Sequence, residues 1–488
     1  MNTYFKLFLT IWIVYAIYVT PAGGVTPNRY VDLVHSIVNE GTFAIDTYHA
    51  NTIDKAYFNG HYYAGALPGP SLIAVPFYIV FKGLYTFVPQ SIKELVGGVQ
   101  SFKKEAQANT TFYGKVDNVE YFLSQAFLHV TVVAVISALA SVLLFGSIKL
   151  LGYSDRIALL TSLLYAFGTI VFFYSTLFFE QIFSAGVTIA VFYLVLRLSI
   201  TPMESRKPGN LLLIGLTVGS GFLIEYTMVF VVLWMAVWLW FIGTRRGLMF
   251  YMLGIAPWIL IHMGYSWILF GNPWTTPYAY LISVHETVHG VGFFGATYPR
   301  LDRLFQLLAA PERGLFLYMP IAIVAFIGLA DQVLRRKTHR LPAAIILAIT
   351  LFYLIFFSAY TNWRGGSAFG PRYLIAFIPL LGIGVAFAFE ILSVRVIYIV
   401  GGVSVLINWA GAQFGFANSV VQHLESLVIR GPTLPSLNAI LAHSTTENTL
   451  FVVVSRYHVW ITLMITLALV AIFSWLWRDI WSQPVREA

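Results

Sequence analysis

Long apolar runs recur down the chain with short polar breaks between them, and this repeat organises the sequence more than any single motif does. Runs long enough to cross a bilayer fall at 5–20, 121–148, 156–175, 179–198, 209–224, 226–243, 248–270, 314–333, 341–360, 371–390, 394–413 and 457–477. Spanning takes about 20 residues of helix, so the pattern predicts an all-α polytopic membrane protein with about twelve transmembrane helices. It forms a single membrane-embedded unit over 1–488: first span, outer loop 21–120, main bundle 121–413 with outer loop 271–313, outer loop 414–456, last span. The run YFKLFLTIWIVYAIYV also fits a signal peptide, with Ala22-Gly23-Gly24 as a cleavage site. Both readings leave the next segment outside. In that large extracytoplasmic first loop, SLIAVPFYIVFKGLYTFV at 71–88 is short and broken by Pro76, Lys82 and Gly83. It reads as an interfacial or re-entrant helix rather than a span.

Charge then assigns the sides. Arg197, Arg206 and Lys207 flank one gap, Arg245 and Arg246 another, and Arg335, Arg336, Lys337 and Arg340 form the densest cluster. Placing these with Arg478 and Arg486 in the cytoplasm satisfies strict alternation, so both termini are expected inside. The sequon Asn109-Thr110-Thr111 falls on the outer side. Composition agrees: 58% of residues are hydrophobic and 10% charged, against about 25% charged in soluble proteins. The net charge of +8 is spread over short loops, which gives no nucleic-acid face. With no Cys, disulfides, thiolate zinc sites and Cys nucleophiles are excluded.

With this topology the polar chemistry gathers on the outer face. Asp46, Asp54 and His61 lie in the first loop, and Glu180 and Glu225 at the outer ends of spans. Arg300, Asp302, Glu312 and Arg313 lie in the loop 271–313, and Trp363, Arg364 and Arg372 in the connector TNWRGGSAFGPRY. A carboxylate beside apolar helix is costly unless it faces water or a partner. Glu180 and Glu225 are therefore either site residues or hydrogen-bonded ties between helices. The stretch AIDTYHANTIDKAYFNGHYY suits binding of a sugar or a lipid headgroup, or else is a solvated loop with turn-forming Asp residues.

HETVH at 285–289 matches the zinc-peptidase signature, with His285 and His289 as ligands and Glu286 as base. Such a site needs a third ligand, and the extended form of the motif meets Gly295 where its last His belongs. Gly290 and Gly292 also end any helix at His289. The expectation is a solvated outer loop, or a wall of a substrate site, ahead of a metalloprotease.

Several stretches carry a family likeness: GTFAID (41–46), IDKAYFNGHYY (53–63), LPGPSLIAVPFY (67–78), FGNP (270–273), PERGLFLYMP (311–320) and NWRGGSAFGPRYL (362–374). In this order the chain resembles the GT-C membrane glycosyltransferases, in the branch around protein O-mannosyltransferases and the aminoarabinose transferase of lipid A. The resemblance implies inverting transfer of a hexose or pentose from a polyprenyl- or dolichyl-phosphate donor to a lipid, glycan or protein acceptor. It implies a first-loop carboxylate as general base, here Asp46 or Asp54, and cations on the departing phosphate. Arg372 is the expected phosphate clamp, with Arg29, Lys55 and Arg364 in reserve. His61, Tyr62, Tyr63 and Trp363, with Glu180 and Glu225, complete the expected substrate contacts.

The family's acidic pair in D-E-x-R-Y is missing, since Thr26-Pro27-Asn28-Arg29-Tyr30 stands there. The usual Asp-Lys before the Pro turn is replaced by Ala64-Gly65-Ala66-Leu67-Pro68. Either the base has moved within the loop or this member is inactive. No cofactor follows from the residues, and a divalent cation stays open. A plasma or inner membrane of a prokaryote is expected rather than endoplasmic reticulum. The competing class is a transporter or lipid flippase, against which stands the lack of an internal repeat.

Overall fold

The computed structural model describes residues 2–20, 24–97, 118–243, 247–282, 292, 295–366, 368–415, 419–437 and 449–482. HETVH and the Asn109 sequon lie outside the described residues. The chain is mostly helical and is an integral membrane protein. Six described helices are long and apolar enough to cross a bilayer: Val119–Leu150, Glu180–Ile200, Leu248–Phe270, Arg340–Ala359, Val394–Phe414 and Arg456–Leu476. Shorter apolar helices cover Thr3–Ile17, Gly69–Tyr85, Pro208–Leu223, Tyr226–Phe241 and Arg372–Ala388. A helix satisfies its own backbone, which is why apolar sequence takes this form where no water is present. Burial separates centre from rim. The apolar window of Glu180–Ile200 is 61% buried, whereas that of Arg456–Leu476 is only 6% buried.

Glycines set the closest helix crossings. A Cβ on Gly215 would lie 2.0 Å from the Tyr251 carbonyl oxygen, and one on Gly254 would lie 2.4 Å from that of Leu212. Backbones of 208–219 and 248–270 therefore touch directly, the small-residue contact on which membrane helices depend when no hydrophobic effect drives them together.

Three expected spans are interrupted. The run 156–175 divides into Asp155–Phe167 and a separate turn Val171–Tyr174. The run 314–333 breaks at Pro320 into Leu315–Tyr318 and Ile321–Asp331, as expected when Pro removes a backbone donor. Residues Arg372–Phe377 form a 3-10 turn before Ile378–Ala388. Non-helical backbone inside a membrane bundle survives only when protein surrounds it. Residues 170–185 are buried throughout, and the Phe369 amide donates to the Tyr174 hydroxyl at 3.0 Å.

The first loop also departs from an all-α reading. It opens with the helix Val25–Glu40, ended by Gly41 at φ 68°, and continues into an antiparallel hairpin, Lys55–Phe58 against His61–Ala64. Asn59 and Gly60 both take positive φ, 50° and 88°, the geometry of a two-residue hairpin turn that Asn-Gly favours. The helix Gly69–Tyr85 follows, close to the expected 71–88 segment.

Gly254→Val forces the 208–219 and 248–270 helices apart. It is expected to cost about 1–3 kcal/mol, read as a lower thermal midpoint of the detergent-solubilised protein. An unchanged midpoint refutes the crossing.

Candidate functional site

The first loop and the bundle meet around a cavity of about 130 Å3. Arg29 enters from the Val25–Glu40 helix, and Asp54 and Gly65 from either end of the hairpin. Glu180 and Gln181 begin a central helix, Glu225 occupies the break between two short helices, and Tyr226 and Thr227 begin the second of them. Tyr278, Phe356, Phe357, Tyr360, Arg372 and Tyr373 close the far side. Local chemistry explains the placement. Glu225 is extended (φ −157°, ψ 131°) between two 3-10 turns, so its carboxyl leaves the helix line. The Gly65 amide donates to the Asp54 carbonyl at 3.0 Å. A Cβ there would stand 2.7 Å from that oxygen, so a side chain at 65 would push the Asp54 strand away.

Arg29 organises the charge. Its Nη2 donates to Glu180 Oε1 at 3.1 Å, and its Nη1 lies 3.6 Å from Asp54 Oδ2. The same guanidinium donates to the Tyr30 hydroxyl at 3.1 Å and to the Gly65 carbonyl at 3.4 Å. Thr26 Oγ1 donates to Asp54 Oδ2 at 3.1 Å, and Gln181 Nε2 to Glu180 Oε1 at 2.8 Å. Glu225 has a different environment. The Ser184 hydroxyl donates to it at 2.9 Å, and among the described residues no cation pairs with it. Burial first, and the nearby Glu180 next, push its carboxyl up to about 7.

Arg372 is the cavity's second cation. Its guanidinium lies over the rings of Phe179 (5.4 Å) and Tyr373 (5.2 Å), and no carboxylate among the described residues forms an ion pair with it. Gly365, at φ 68°, lets the connector pass beside it, for a Cβ there would sit 2.9 Å from Arg372 Nε. Among the described residues, eighteen buried polar side-chain atoms have no hydrogen-bond partner, and five of them belong to this lining. They are Arg29 Nε, Glu180 Oε2, Gln181 Oε1, Thr227 Oγ1 and Arg372 Nε. Buried polar atoms are normally satisfied, so this concentration marks a place built for a polar ligand.

Of the residues singled out from sequence, Arg29, Asp54, Glu180, Glu225 and Arg372 line this one cavity. The others sit around it. Asp46 faces outward, with Oδ2 2.7 Å from His61 Nδ1 and Oδ1 accepting from the Tyr62 amide at 2.7 Å. Lys55 donates to the His49 carbonyl at 2.7 Å and lies over the Tyr62 ring, while Tyr63 packs on Phe270. Trp363 is buried beside the Arg364 guanidinium. His285 and His289 lie outside the described residues, and no group of three or more metal-ligating side chains occurs among those described.

Sequence reasoning missed the aromatic wall of Tyr226, Tyr278, Tyr360 and Tyr373, which no spacing announces. It also passed over Arg313 as a positioning group. Arg313 donates to the carbonyls of Arg364 (2.7 Å) and Gly366 (2.6 Å), holding the connector that leads to Arg372. A charged residue in PERGLF, next to apolar sequence on both sides, is the signal that could have found it.

Arg29→Ala leaves two carboxylates buried without their cation. The expected loss is about 3–5 kcal/mol, seen as a large drop in thermal midpoint. A midpoint within error of wild type argues that Arg29 does not hold the loop to the bundle.

No family model and no curated protein sequence matches the chain. Among solved structures it is similar to ArnT from Cupriavidus metallidurans bound to undecaprenyl phosphate. The TM-score is 0.50 at 15% identity, covering 98% of this chain and 72% of that one. The same protein in the apo state gives 0.49 at 14% identity, covering 98% and 71%. AglB, an oligosaccharyltransferase from Archaeoglobus fulgidus, in complex with an inhibitory peptide and a dolichol-phosphate, gives 0.45 at 10% identity, covering 93% and 56%. The fold is thus similar to that of ArnT.

Proposed function

We propose that this protein is a membrane glycosyltransferase that takes a sugar from a polyprenyl- or dolichyl-phosphate and transfers it, with inversion, to a lipid, glycan or protein acceptor. The observation that carries the reading is one cavity holding a carboxylate from the first loop, Asp54, and a buried arginine, Arg372, that forms no ion pair with a carboxylate among the described residues. The ArnT fold supports it, because that neighbour was solved with undecaprenyl phosphate.

The chemistry follows from charge. An acceptor hydroxyl attacks the anomeric carbon while the bond from that carbon to the phosphate oxygen breaks. Asp54 takes the hydroxyl proton, and the phosphate departs with one negative charge more than it had in the donor. A guanidinium at that oxygen gains interaction as the charge grows, so it lowers the barrier rather than merely binding substrate. Arg372 has this role. Arg29 fixes Asp54 from behind through their 3.6 Å contact and ties it to Glu180. Asp46 is the second candidate base, and it belongs to the hairpin flank with Lys55, His61, Tyr62 and Tyr63, where the acceptor is placed. Trp363 and Arg364 border the connector side. The cavity is assigned to the extracytoplasmic face of a twelve-span bundle, in a prokaryotic plasma or inner membrane, with both termini inside.

Membranes containing the protein, supplied with radiolabelled polyprenyl-phosphate sugars, test the reading. Asp54→Asn is expected to lower transfer by about 10²–10⁴-fold. Arg372→Ala lowers it more than Arg372→Lys, while Asp46→Asn and His285→Ala retain it. Wild-type inactivity with every donor, together with chelator-sensitive proteolysis, overturns the proposal in favour of the peptidase.

A further inference from the structure

Behind the cavity, and not lining it, lies a second carboxyl that the reaction does not use. Asp32 is fully buried on the Val25–Glu40 helix, one turn beyond Asn28 and Arg29. Its Oδ1 accepts from Asn51 Nδ2 at 2.9 Å and from the Tyr121 hydroxyl at 2.7 Å. Its Oδ2 is buried with no partner, and no cation pairs with it among the described residues.

The groups around Asp32 lead straight to the site. Asn28 Nδ2 donates to Asn51 Oδ1 at 2.8 Å and to the Asn51 carbonyl at 3.1 Å. Gln125 Nε2 donates to Asn28 Oδ1 at 2.5 Å, bringing in the helix that starts the bundle. Thr52 Oγ1 donates to the Val25 carbonyl at 2.9 Å and accepts the Asp54 amide at 3.0 Å. Asn28 is the residue before Arg29, and Asn51 and Thr52 run directly into Asp54. The clasp between Asn28 and Asn51 therefore sets how far Arg29 stands from Asp54.

A buried carboxylate with no cation and one unsatisfied oxygen is costly, and a neutral acid in the same place is not. We propose that Asp32 works as an uncharged carboxylic acid and is a positioning residue, closing the Asn28–Asn51 clasp that spaces Arg29 and Asp54. Burial pushes the Asp32 carboxyl up to about 8, while its bonds from Asn51 and Tyr121 pull the other way. The titratable groups facing it are Tyr121, Tyr48 on its own side of the loop, and Lys55, whose charge favours ionised Asp32. The transfer part of the argument rests on the function proposed above; the stability part does not.

The linkage has a definite sign. The folded state holds the proton more tightly than the unfolded chain, whose Asp titrates near 3.9 (about the model-peptide value). The stabilisation is complete below that value and is lost as pH rises toward 8, after which both states are ionised. Ionisation within the folded protein, with its effect on the site, comes only above about 8.

The experiment uses purified full-length wild type, Asp32→Asn and Tyr121→Phe, followed from pH 5 to 9.5 by thermal midpoint and by transfer from a polyprenyl-phosphate sugar. The wild-type midpoint is expected to fall relative to Asp32→Asn up to about pH 8 and to run parallel above it. Wild-type transfer falls by about fivefold from pH 8 to pH 9 beyond any loss seen in Asp32→Asn. Tyr121→Phe removes a donor to the ionised form and shifts this alkaline loss to higher pH. Midpoint curves of wild type and Asp32→Asn that stay parallel throughout overturn the proposal. So does an Asp32→Asn protein that fails to fold at pH 7, or that folds and is inactive, because a neutral isostere must then not replace the acid. Absence of transfer in all three proteins, with the midpoint difference present, refutes the transferase reading and leaves the neutral acid standing.

Discussion

One buried guanidinium holds this structure together at its most expensive point. Arg29 comes from the first loop, Asp54 from the hairpin of the same loop, and Glu180 from the first turn of a central bundle helix. Burying any one of these alone in apolar surroundings is strongly unfavourable, and only the three together make the junction tolerable. The arrangement therefore does more than add stability. It forbids the loop from docking in any other register, since a shift of one residue leaves at least one charge without its partner.

What the triad leaves over defines the site. Two carboxylates share Arg29, so Arg372 and Glu225 face the same cavity without ionic partners among the described residues. Both are placed by interruptions in helices: Glu225 by the break after Leu223, Arg372 by the Gly-rich connector held on Arg313. Irregular backbone inside a membrane bundle has to be enclosed by protein, and the same enclosure creates a polar cavity. The breaks and the cavity are one feature seen twice.

This logic explains what could be read from sequence. Apolar periodicity located helices because bilayer-compatible backbone has so few forms. Arg29, Asp54, Glu180, Glu225 and Arg372 stood out because ionisable residues are rare in such a chain, and the cavity gathers all five. Asp46 stood out for the same reason, yet the hairpin carries it to the exposed flank beside His61. Asn59-Gly60 announces the turn, but which face of the hairpin meets the bundle depends on Gly65 and on the strand-like contact of Ala56 with Leu281. Asp32 gave no signal at all. Its burial is created by Asn51 and by Tyr121, the latter 89 residues away, and neither partner marks itself.

Aspartate and glutamate thus appear in this small region in three physical settings. Asp54 and Glu180 are compensated by an arginine, Glu225 accepts from the Ser184 hydroxyl, and Asp32 accepts from the neutral donors Asn51 and Tyr121. On the proposed function, uncompensated carboxylates around the cavity would repel the phosphate and oppose Arg372. Pairing two of them on Arg29, with burial raising the carboxyls of Glu225 and Asp32, lessens the negative charge around Arg372. On the proposed function, the raised carboxyls of Glu225 and Asp32 are part of the electrostatics of phosphate binding, although neither needs to touch the phosphate.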